Sequence, residues 1–166
     1  VPFPIYLAGM RATAGLVTSS EIASIVKTSD QSVTSSTVLV SDTQLQLPVL
    51  ANASYIFGCY VDYEGAAIGT GDLKHQWAQP ATSAIRFTQT YISTAGALGG
   101  GVTQLGGDVL TAGTAGAGVL RALVMDGSLV NGATPGNVVF TWAQNTSSAT
   151  ATIVHAQSYL WLLRTA

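Results

Sequence analysis

Residues 138–164 read VVFTWAQNTSSATATIVHAQSYLWLLR, and this stretch decides what kind of fold the chain can make. Val138, Phe140 and Trp142 share one face if the backbone is extended, because successive side chains of a strand point to opposite sides. Asn145-Thr146-Ser147-Ser148 is turn chemistry, since short polar side chains bond their own backbone in competition with a ladder. Thr150, Thr152 and Val154 then oppose Ala151, Ile153 and His155. The chain closes on Tyr159, Trp161 and Leu163, with Leu160 and Leu162 on the other face. Two apolar, β-branched and aromatic runs joined by a polar link predict the closing strands of a β-sandwich, the last of them inside a sheet.

The same alternation extends upstream. Ile22–Lys27 and the β-branched run Ser32–Val40 predict short strands, with a turn at Ser41-Asp42-Thr43. Leu45, Leu47 and Val49 alternate with Gln44, Gln46 and Pro48, and a proline without a backbone donor places this strand at an edge. Tyr55, Phe57, Cys59, Val61 and Tyr63 make the longest one-sided run. Gly58 and Asp62 lie on its other face, where Gly58 leaves room for an apposed backbone. LKHQWAQP, SAIRFTQTYIS and VLRALVMDG supply further strands, and Asn131-Gly132 and Pro135-Gly136 mark turns. Trp77-Ala78-Gln79 recurs as Trp142-Ala143-Gln144. Residues 94–118, TAGALGGGVTQLGGDVLTAGTAGAG, are too poor in bulky side chains for a core of their own and predict a long loop. Their glycines match neither a phosphate-binding nor a dinucleotide-binding pattern. The fold expected is all-β: a single-domain antiparallel β-sandwich over 21–166, jelly-roll-like, with an extended N-terminal arm over 1–20 that includes a short helix at Ala12–Ser20.

Composition sharpens this. In 166 residues, 48% are hydrophobic and only 8% charged, against roughly 25% charged in a typical soluble domain. A surface so poor in charge is polar-neutral or buried against partners. The formal net charge of −2 gives no electrostatic reason to expect nucleic acid. No apolar run reaches the roughly 18–20 residues that span a bilayer, so no membrane contact is expected. VPFPIYLAGM has two prolines and no basic start, unlike a signal peptide.

Chemistry is sparse. The lone Cys59 sits in an apolar run and excludes an internal disulfide framework; it reads as a buried structural thiol. His75 and His155 lack metal-motif spacing and read as surface or hydrogen-bonded strand residues. Asp30, Asp42, Asp72, Asp108 and Asp126 adjoin turn residues that favour local carboxylate-to-backbone bonds. No catalytic residue, metal site or cofactor is expected, and the protein is read as a non-enzyme.

W-A-Q-N-T at 142–146, a Ser/Thr/Ala-rich link, then S-Y-L and a late arginine resemble a small β-domain of tailed-bacteriophage virion proteins, especially those of actinobacterial phages. The resemblance extends upstream through IVKTSDQSVTSSTVLVSDTQLQLPVLANASYIFGCYVDYEG and GDLKHQWAQP. It implies a virion structural protein at the particle surface: a capsid decoration protein in contact with the major capsid protein or other virion proteins. The alternative is a tail-fibre tip or minor tail protein that binds host-surface glycans. Analogy with phage surface proteins also implies a homotrimer. The arm would supply virion attachment through Phe3, Ile5, Tyr6, Leu7 and Leu16, whose side chains bury large apolar area.

Overall fold

The structure is a computed structural model and describes residues 22–165. The expected arm over 1–20, the short helix expected within it and the five residues expected to attach it lie outside the described residues. Thirteen strands follow in order: β1 (Ile22–Val26), β2 (Gln31–Val33), β3 (Val40–Val49), β4 (Ser54–Glu64), β5 (Leu73–Ala78), β6 (Ala84–Ile92), β7 (Leu98–Gly100), β8 (Gln104–Leu105), β9 (Leu110–Ala112), β10 (Arg121–Val130), β11 (Gly136–Gln144), β12 (Thr152–Val154) and β13 (Tyr159–Arg164). They form two sheets, and every pairing between them is antiparallel.

The larger sheet runs β1-β13-β4-β10-β6-β7, with β8 also on β6 and β2 reaching β4 through β12; the smaller runs β3-β11-β5-β9. Take the eight strands β1, β3, β4, β5, β9, β10, β11 and β13 in chain order. One sheet then has order 1-8-3-6 and the other 2-7-4-5, which is the double Greek key of a jelly roll. The strands β6, β7 and β8 widen the first sheet beyond that unit. As expected, the last long strand lies inside a sheet, between β1 and β4.

Alternation fixes the core. Tyr55, Phe57, Cys59, Val61 and Tyr63 of β4 all point inward, as do Leu160 and Leu162 of β13 and Val138, Phe140 and Trp142 of β11. Phe57 of the larger sheet meets Trp77 of the smaller edge-on at 5.4 Å between centroids. Trp77 in turn meets Phe140 edge-on at 5.5 Å. Edge-to-face contacts suit the ring quadrupoles and bridge the roughly 10 Å gap between sheets. The repeated Trp-Ala-Gln lies on neighbouring strands β5 and β11, both tryptophans buried.

Several expectations need correcting. Ser41-Asp42-Thr43 is part of β3, although turn chemistry survives there. β3 bulges against β11, where four residues (42–45) oppose one, and Asp42 Oδ1 accepts from the Gln44 and Leu45 amides at 3.0 and 2.9 Å. Of the β-branched run Ser32–Val40, only Ser32 and Val33, in β2, and Val40, which opens β3, lie in strands. The strand expected in VLRALVMDG runs on through residues 128–130 as β10. Gly58 faces a side chain instead of a backbone: a Cβ there would lie 2.5 Å from Nε1 of Trp161. The Gly-rich stretch carries three short strands, β7, β8 and β9, whose ladders to β6 and β5 take up backbone groups that a bare loop leaves to water. Pro48 behaves as expected, on the edge strand β3.

Replacing Phe140 with Ala should destabilise the protein by about 3–5 kcal/mol, because the cavity lies between two packed rings. Urea unfolding followed by near-ultraviolet circular dichroism would measure the loss.

Candidate functional site

Each polar or reactive group can be weighed by what surrounds it. Cys59 is buried, and desolvation, with the Asp42 and Asp126 charges, pushes its thiol far above the ordinary range. It stays protonated and is no nucleophile. Asp42 is fully buried and pairs with the equally buried Lys27, whose Nζ lies 3.0 Å from both carboxylate oxygens. The indole of Trp142 donates to the same carboxylate at 3.3 Å. Asp72 accepts from the Gly69 and Thr114 amides, tying two loops together. These are structural carboxylates, saturated by protein donors.

The histidines differ from each other. His75 is not at the surface: it is fully buried, stacks on Phe140 at 5.7 Å, and has the Gln89 side chain as a polar neighbour. Burial lowers its pKa to about 3, so it is neutral at pH 7. His155 stands half-buried between carboxylates, its Nδ1 3.3 Å from Asp30 and its Nε2 3.9 Å from Glu64. Asp30 is held below the usual carboxylate range chiefly by the amide of Ala156, with His155 adding to the effect. Among the described residues no group of three or more His, Cys, Asp or Glu is placed to hold a metal ion.

What remains is surface, and it is concentrated on the outer face of the larger sheet. By register, one row across it is Ser24, Trp161, Gly58, Asp126 and Thr88. The rows on either side carry Ile22, Leu163, Ile56, Ser128 and Arg86, and Val26, Tyr159, Tyr60, Val124 and Thr90. The β1–β13–β4 half is apolar: Ile22, Val26, Ile56 and Tyr159 are exposed, and Tyr159 stacks on Tyr60 at 5.5 Å. The β10–β6 half is polar and holds an open hollow of about 260 Å³ lined by residues that include Arg86, Thr88, Thr103, Asp126 and Ser128. The indole of Trp161 lies over Gly58 between the halves, its Nε1, Cε2 and Cζ2 2.5, 2.7 and 2.8 Å from where a Cβ would stand. A second apolar strip follows the opposite edge, where Leu98, Val102 and Leu105 are exposed on and between β7 and β8.

Sequence reasoning separated Trp161 from Leu160 and Leu162 correctly but did not single it out, nor Arg86 or the placement of Asp126 beside it. The available signal was a glycine in an otherwise bulky strand, which often marks a close approach.

Neither a protein-family model nor a curated protein matches this chain. Among solved structures, the Gt strain of infectious bursal disease virus is similar at 13% identity over 99% of this chain and 47% of that one, with a TM-score of 0.23. The VP2 subviral particle of infectious bursal disease virus is similar at 13% identity over 87% and 42%, TM-score 0.23. T=1 particles derived from the virus are similar at 14% identity over 99% and 45%, TM-score 0.22. The chain spans less than half the length of each of these proteins. At such TM-scores the likeness carries no weight for function.

His75 makes stability depend on pH. Its folded pKa is about 3 and its unfolded value about 6.5, so between these the unfolded chain binds the extra proton. Stability is therefore lost as pH falls from about 6.5 toward 3, at up to about 1.4 kcal/mol per pH unit from this residue. Urea titrations at a series of pH values should show a flatter acid limb for His75→Gln than for the parent.

Proposed function

We propose that this chain is a non-enzymatic virion structural protein of a bacteriophage, an accessory subunit that decorates and stabilises the capsid surface. The observation that carries the reading is the uncovered apolar strip at the β7–β8 edge. Leu98 is 76% exposed, Val102 65% and Leu105 52%, within a stretch, 94–120, whose sole charged residue is Asp108. A monomer leaves that strip in water, whereas the core of a subunit interface is depleted in charge and takes it up. We place it at the axis of a homotrimer. The jelly roll is a fold used by viral capsid proteins and by lectins, a fold-level analogy that agrees with the phage resemblance of residues 142–164.

Attachment to the major capsid protein or another virion protein is assigned to Phe3, Ile5, Tyr6, Leu7 and Leu16. Three copies acting together hold far more firmly than one, since later contacts form at high effective concentration. The second reading, a tail-fibre tip or minor tail protein that binds host-surface glycans, is favoured by one observation, the half-exposed Trp161 on the same sheet face as a hollow that Arg86 and Asp126 help to line.

Light scattering at micromolar concentration should give the mass of a trimer for the parent and of a monomer for the Leu98→Lys, Leu105→Lys double variant. A monomeric parent overturns the assembly reading. Deleting Val1–Gly9 should abolish binding to undecorated particles while the β-domain keeps its circular dichroism and its oligomeric state. Undiminished binding would move the attachment surface onto the sandwich.

A further inference from the structure

We infer that the outer face of the larger sheet holds a carbohydrate site: a pyranose ring seated on the Trp161 indole, with its hydroxyls directed into the neighbouring hollow. The inference rests on the second, glycan-binding reading above and is independent of the capsid-decoration reading, since it needs neither a trimer nor an attachment arm.

Gly58 of β4 pairs with Trp161 of β13 on one side and with Asp126 of β10 on the other. Neighbouring strands lie about 4.8 Å apart, so a side chain at position 58 would separate the tryptophan from the aspartate. Glycine leaves that place open, and the indole occupies it. The ring therefore reaches across β4 toward Asp126. Being half-buried, the indole has one side packed on the sheet and part of its surface open to solvent.

Beyond it lies the hollow of about 260 Å³. Arg86, Thr88, Thr103, Asp126 and Ser128, which help to line it, supply a guanidinium, a carboxylate and three hydroxyls. None of these side chains makes a hydrogen bond or ion pair with another described residue. Their donors and acceptors are thus available to a ligand.

A flat apolar surface next to mixed donors and acceptors fits one chemistry closely. One face of a pyranose presents C–H groups that bury against an aromatic ring, and its rim presents hydroxyls that both donate and accept. Arg86 donates and Asp126 accepts, so a pair of adjacent hydroxyls satisfies both. One charge of each sign favours a neutral sugar over an acidic or basic one. The hollow is open rather than enclosed, which suits the end of a glycan chain and weak binding per site.

Tryptophan fluorescence tests this directly, because Trp77 and Trp142 are buried and acrylamide quenching reports mainly on Trp161. The full chain would be titrated to tens of millimolar with the methyl pyranosides of glucose, galactose, mannose and N-acetylglucosamine. Glucitol, which has the hydroxyls without the ring, is the control. At least one glycoside should shield Trp161 from quenching, and glucitol should not. Asp126→Asn should weaken that binding about tenfold, the scale of one hydrogen bond to a charged group. Gly58→Ala, which displaces the indole, should weaken it at least as much; should that variant fail to fold, the exposed positions decide alone. The site is overturned if no glycoside shields Trp161, if glucitol shields it equally, or if the Arg86→Gln, Asp126→Asn double variant binds as the parent does. Failure here leaves the light-scattering and particle-binding results untouched, and their failure leaves this one standing.

Discussion

A single buried charge pair couples the two sheets at one corner of the sandwich. Lys27 leaves the end of β1 in the larger sheet, Asp42 stands on the bulge of β3 in the smaller, and both side chains are fully buried where they meet. Two ions removed from water are tolerated only when each satisfies the other and the remaining valences are filled. Here the carboxylate also takes two amides of its own bulge and the Trp142 indole. The bulge, the edge strand and a core tryptophan therefore form a linked set with the strand on which Tyr159 and Trp161 depend, because Lys27 also bonds through its backbone to Gln157 and Ser158. The outer face inherits its shape from an interaction on the inner one.

Much of this was legible in the sequence because period-2 alternation is strict wherever one face is buried. Tyr55 to Tyr63, Val138 to Trp142 and Leu160 with Leu162 fell on the side that alternation dictated, since a slip of one residue would expose an entire core row. Ser41-Asp42-Thr43 misled because an Asp side chain bonds nearby amides equally well in a turn and in a bulge; only the partner strand distinguishes them. Residues 94–118 misled for a different reason. Their small side chains signal no core, but short ladders to β5 and β6 need backbone groups rather than bulk.

Function was less legible. The face that carries Trp161 was readable as a face, yet alternation alone does not say which side of the second layer it looks toward. Arg86, Asp126 and Trp161 are 75 residues apart at their extremes and meet only through the order β13-β4-β10-β6, which no local pattern encodes. His75 is a different case: alternation places it with Leu73 and Trp77 on the inward face of β5, and only its residue type made it read as surface.

The edge strand β3 bears on how this protein avoids aggregation. An uncovered sheet edge is a template on which a second chain can add a strand, and from there a third, without limit. On β3, Pro48 has no amide to offer, and the bulge at 42–45 interrupts the regular ladder nearer its start. The opposite edge of that sheet, β9, is three residues long. Neither margin of the smaller sheet, among the described strands, offers a straight ladder on which a second chain could add a strand. The sheet is thereby guarded against open-ended strand addition, the route by which exposed edges grow into fibres.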